Sequence, residues 1–96
     1  MGFNLIEGAM ILYHVTTEKK AKAYRQSGEI HSPVRGFDTL LAAMCWAMRT
    51  GRKVIYEVTD VECHLLPDHS NKFGRGWWTD TRVTLDKIKC VVSPES

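Results

Sequence analysis

Cysteine is scarce in this chain of 96 residues, and proline is no commoner, with three of each. Cys45, Cys63 and Cys90 are odd in number and lack paired spacing, which excludes a disulfide framework and points to a reducing, cytoplasmic setting. Each stands among apolar neighbours as a small buried thiol would. No apolar run reaches the ~20 residues of a membrane span. No charge of one sign dominates: the formal net charge is +2, too little to argue for nucleic acid by itself. Met1 to Met10 contains Glu7 and no basic residue, so no secretory leader is expected. Internal repeats and low-complexity stretches are also lacking.

What is there suits one modest hydrophobic core. Apolar residues make up 44% and charged residues 25% of the chain, ordinary values for a single soluble domain. Residues 1–9 read as an N-terminal appendage, with Met10 an equally natural start, and 10–96 as one domain. Ile11 to Val15 is rich in strand formers, and Thr16 or Thr17 then caps a helix that Gly28 ends in a left-handed turn. Glu29 to Gly36 is a short extended piece with a turn. Asp38 or Thr39 caps a second helix, Leu40 to Met48, which Gly51 stops. That helix is apolar nearly all round and is expected to be the most buried element.

Lys53 to Thr59 alternates as a strand, Asp60 marks a bend, and Cys63 to Leu66 is a further short strand. Pro67 to Gly76 is a polar loop long enough to bind something. An extended Trp77–Thr79 segment, a turn near Asp86 and a final strand at Lys89–Val92 complete the chain. Two early helices followed by short strands predict an α+β domain, the helices packed on a mainly antiparallel sheet, and not alternating βαβ units.

Several chemistries are poorly served. Cys63, His64 and His69 are too few and too loosely spaced for zinc, so no metal site is expected. Cys45 lies within an apolar helix, where a thiol is hard to ionise. Cys63 and His64 are adjacent, and neighbouring strand residues face opposite sides, so they form no dyad. A second class fares better. Arg35, Arg49, Arg52, Lys53, Lys72, Arg75 and Arg82 could hold phosphates while bases stack on Trp77 or Trp78, of which one is expected to be buried and one exposed. A non-catalytic module that holds a protein or single-stranded nucleic acid through the Pro67–Trp78 loop is therefore the alternative function. A purely structural protein would instead form a stable oligomer and take no ligand.

A sharper reading comes from five short motifs in order: Tyr13-His14-Val15-Thr16, Ser27-Gly28, Gly36-Phe37-Asp38-Thr39, Ala43-Met44-Cys45-Trp46-Ala47 and Val54-Ile55-Tyr56-Glu57-Val58. This order resembles the compact ADP-ribosyltransferase-like superfamily of poly(ADP-ribose) polymerases, diphtheria-type toxins and, more distantly, tRNA 2′-phosphotransferases. The closing Trp77-Trp78-Thr79, Val83 and Leu85-Asp86-Lys87-Ile88 also look like the family's last strand pair, so the resemblance spans about residues 11 to 92. It implies an ADP-ribosyltransferase-like fold that binds NAD or a related nucleotide. It implies that His14 contacts the ribose of the adenosine half, that Thr16 binds the same sugar, and that Phe37 stacks under nicotinamide beside Thr39. The family's late-strand glutamate falls at Gly76-Trp77-Trp78, which holds no carboxylate; Glu57 and Asp80 are the candidates for its catalytic role. A charge that acts mainly in the transition state matters more for turnover than for binding, so its loss leaves a binder with impaired transfer. The phosphotransferase branch uses basic residues there, and Arg35, Arg75 and Arg82 are the candidates.

Overall fold

The computed structural model describes residues 9–94. Its elements are β1 (Ala9–Thr16), α1 (Glu18–Ser27), β2 (Glu29–Ile30), β3 (Val34–Phe37), α2 (Leu40–Thr50), β4 (Val54–Glu62), β5 (His64–Leu65), β6 (Gly76–Thr79), β7 (Val83–Thr84) and β8 (Ile88–Val92). Six strands form one sheet in the order β5-β6-β3-β1-β4-β8, with antiparallel neighbours throughout, and β2 and β7 make a separate antiparallel pair. The architecture is α+β. Ala9 opens β1 and pairs with Glu62, so the strand begins one residue inside the expected appendage. Residues 1–8 lie outside the described residues.

Strand alternation sorts the core onto two faces. Leu12 of β1 and Val54, Tyr56 and Val58 of β4 join Ala21 and Tyr24 of α1 and the β2–β7 residues Ile30 and Val83. Val15 and Ile55 point the other way and meet Ala42, Ala43 and Ala47 of α2. The bend expected at Asp60 is instead a β-bulge within a longer strand. Asp60 takes φ 56°, and pairing passes from Leu12–Val58 to Met10–Val61, with one residue of β1 set against two of β4. The extra residue reverses the alternation, and Val61 returns to the α1 face.

Both helices are bounded by local chemistry. Thr17 accepts the Lys20 N–H and Thr39 the Ala42 N–H, while Gly28 and Gly51 close the helices at φ 86° and 76°. α2 is less buried than its composition predicts. Its small residues, Ala42, Ala43 and Ala47, let it lie close to the sheet, but Leu41, Met44 and Met48 are 56%, 41% and 82% exposed on its outer side. No helix among the described residues is long and apolar enough to cross a membrane.

Candidate functional site

A cleft of about 580 Å³ opens where β1 and β3 part. The two strands register at Tyr13 and Phe37. Next to this pair, Gly36 brings β3 so near β1 that a Cβ there would lie 2.4 Å from the Tyr13 carbonyl oxygen. Beyond it, the Arg35 carbonyl faces the His14 ring, with Nδ1 2.7 Å away. A carbonyl only accepts, so the imidazole proton sits on Nδ1. Nε2 is then the acceptor for the Tyr24 hydroxyl at 3.2 Å. Burial lowers the pKa of His14 most, and the charges of Lys20 and Arg52 lower it further, against the opposing pull of the Arg35 carbonyl. His14 is thus a neutral imidazole with both nitrogens engaged.

The cleft draws its walls from segments far apart in sequence. Val15 and Thr16 follow His14, Lys20 and Tyr24 come from α1, and His31 and Pro33 from the turn before β3. Trp46 belongs to α2. Arg52 is set just past α2 by its N–H bond to the Ala47 carbonyl at 3.0 Å. His69 arrives from the loop between β5 and β6, stacked on Phe37 with ring centroids 5.2 Å apart and edge-on to Trp46 at 4.5 Å. Burial, then Arg35 and Arg52, lower the pKa of His69 as well. Lys20, Arg35 and Arg52 supply positive charge, and none of the described residues lining the cleft is a carboxylate. Such a lining favours anions and flat rings, with the charge unopposed inside the cleft.

His14, Thr16 and Phe37 are the residues named from sequence that meet in this cleft. Phe37 is only 1% exposed and His69 is stacked on its ring, so the more accessible rings in the cleft lining are those of His69 and Trp46. Thr39 is elsewhere, accepting the Ala42 N–H at 3.0 Å and donating to the Phe73 carbonyl at 2.8 Å. Glu57 pairs with Tyr13, whereas His14 pairs with Tyr56. Glu57 therefore faces the other side of the sheet from His14 and accepts the Tyr13 hydroxyl at 3.3 Å. Asp80 is exposed beyond β6 and is not part of the cleft wall.

Of the arginines weighed for a phosphotransferase-like role, Arg35 lines the cleft, while Arg82 is ion-paired with Glu29. Neither tryptophan of β6 is fully exposed. Trp77 donates its Nε1–H to Asp38 at 3.1 Å and packs against the core, and Trp78 lies on His64 at 4.7 Å. Among the described residues no group of three His, Cys, Asp or Glu is placed to hold a metal ion.

Sequence reasoning missed Lys20, His31, Arg52 and His69 as cleft residues. For Lys20 a signal existed: it stands four residues before Tyr24, on the same helical face.

Neutral burial of His14 and His69 has a consequence for stability. Both pKa values lie below the ordinary histidine value in the folded state, so the unfolded chain takes up these protons first. Stability is therefore complete above about pH 6.5 and falls on acidification toward the folded values, by up to about 1.4 kcal/mol per pH unit for His14 and by less for His69, which solvent screens. Urea unfolding at about pH 7 and pH 5, above the range of ordinary carboxylates, should show that loss, and His14→Asn should reduce it. Stability that held or rose toward pH 5 would contradict a neutral buried His14.

Compared with family models, curated proteins and solved structures, the chain matches none.

Proposed function

We propose that this chain is a small ADP-ribosyltransferase-like protein that binds NAD or a related nucleotide in the cleft between β1 and β3. The observation that carries the reading is the lining: three cations, the rings of His69 and Trp46, and no carboxylate among the described residues. Phosphates need the cations and a base needs a flat face. The order of motifs from Tyr13 to Val58 supports the family assignment.

The same lining bears on catalysis. Glutamate-assisted transfer needs an acid at the reacting ribose, and both Glu57 and Asp80 stand away from the cleft. The function is accordingly binding, with NAD as the first ligand to try.

Thermal unfolding with and without millimolar NAD tests it. A ligand at a hundred times its Kd stabilises by about 2.7 kcal/mol, a midpoint shift on the order of 10 °C in a domain of this size. Wild type should shift and Arg35→Met, changed at an exposed position, should shift less. No shift in wild type with either NAD or ADP would overturn the reading. Salt-sensitive oligonucleotide binding that required Arg75 and Trp78 would favour the loop-based module instead.

A further inference from the structure

We propose that the part of the cleft where Thr16, Lys20 and Arg52 gather around His14 is a subsite for one phosphate group of the bound nucleotide. This rests on the nucleotide reading above, and it gives Thr16 a phosphate in place of the ribose that the resemblance implies.

Thr16 carries the argument. It is 2% exposed, forms part of the cleft wall, and its Oγ1 has no hydrogen-bond partner. Buried hydroxyls are nearly always bonded, because leaving one unpaired costs free energy. The next residue shows the contrast, since Thr17 accepts the Lys20 N–H at 3.1 Å. An orphaned hydroxyl at the edge of a cleft is a donor waiting for an acceptor. Thr16 contributes to the cleft wall, so an acceptor bound there is the partner its hydroxyl lacks.

The charges beside it choose the acceptor. Lys20 and Arg52 both line the cleft with exposed head groups, and neither is paired with a carboxylate among the described residues. Both act on His14, each disfavouring its protonation. His14 donates to the Arg35 carbonyl and receives the Tyr24 hydroxyl, so it offers the ligand no free donor. Two cations and an unpartnered hydroxyl lining one cleft suit a group with several anionic oxygens, which a phosphate has and a sugar or base lacks.

Isothermal titration of the full chain with ADP, adenosine and inorganic pyrophosphate tests the subsite. Thr16→Val keeps the shape and removes only the hydroxyl. It should leave the free protein as stable or more so, which separates lost binding from lost fold. Thr16→Val and Arg52→Met should each weaken ADP and pyrophosphate binding about tenfold, with adenosine unaffected.

ADP affinity equal in wild type and both variants would overturn the subsite and leave the nucleotide reading standing. A loss in Arg52→Met alone would also overturn it, reducing the effect to surface charge. Pyrophosphate bound in a Thr16-dependent way, with ADP no tighter, would support the subsite and overturn the nucleotide reading. No binding of ADP or pyrophosphate would overturn both.

Discussion

Replacing Gly36 by alanine is expected to destabilise the protein by about 3 kcal/mol, the upper range for overpacking between well-packed elements. The added Cβ would lie 2.4 Å from the Tyr13 carbonyl oxygen, 2.8 Å from its carbon and 2.9 Å from Leu12 Cγ. Two of these three atoms are backbone in β1, which is held on its other side by β4 from Thr16–Val54 to Ala9–Glu62. Neither strand can yield without disturbing a neighbour, since β3 is also paired with β6 from Val34–Thr79 to Phe37–Gly76.

Gly28 and Gly51 provide the control. Both have positive φ but open space where a Cβ would go, so alanine there costs only the left-handed backbone, roughly 1–2 kcal/mol. Thermal unfolding should place Gly36→Ala roughly 10 °C or more below wild type and below either control. A midpoint close to wild type would mean that β1 and β3 are not held so close beside the cleft.

The second large effect is expected at Asp38. Its carboxylate accepts the Arg75 N–H at 2.9 Å through Oδ1 and the Trp77 indole N–H at 3.1 Å through Oδ2. Together with Asn71, which donates its side-chain amide to the Ala42 carbonyl at 3.2 Å, it ties the β5–β6 loop to the start of α2. Asp38→Ala leaves a half-buried indole N–H and a backbone N–H without their acceptor. The expected cost is about 2–3 kcal/mol, because hydrogen bonds to charged groups are the stronger kind and an orphaned donor adds its desolvation.

Asp38→Asn keeps one acceptor oxygen and should fall between alanine and wild type. The effect should reach the cleft, because the same loop holds His69 against Phe37. Unfolding curves followed by tryptophan fluorescence would check both points. An Asp38→Ala variant within about 0.5 kcal/mol of wild type, the range of ordinary surface changes, would show that the loop is held by other means.

The parts of the fold that were legible in the sequence are those that depend on a few adjacent residues. Thr17 and Thr39 cap, and Gly28 and Gly51 stop, for reasons that lie within one helical turn. The alternation of Val54 to Val58 is equally local. The bulge at Asp60 is not, because it exists only in the pairing of β4 with β1. The exposed outer side of α2 was illegible for a related reason: composition shows how apolar a helix is, while the number of neighbours decides how much of it is covered.

The candidate site divides in the same way. His14, Thr16 and Phe37 lie on or beside paired strands, so short motifs bring them together. Lys20, Arg52 and His69 meet them through three further segments, and nothing local marks that meeting. Asp38 was legible as a helix cap and serves as a loop clamp, because its partners, Arg75 and Trp77, lie 37 and 39 residues further along. Glu57 was a candidate acid by type alone; register with Tyr13 sets it on the opposite face from His14.

The most direct test of nucleotide binding in the cleft is a map of backbone amide chemical shifts as ADP is added to the uniformly labelled protein. Nucleotide binding in the cleft should give saturable changes concentrated at Val15 to Tyr24, Arg35 to Phe37, Arg52 and His69. Changes confined to the outer side of α2 or to Lys72–Arg75, or no saturable change at all, would contradict it.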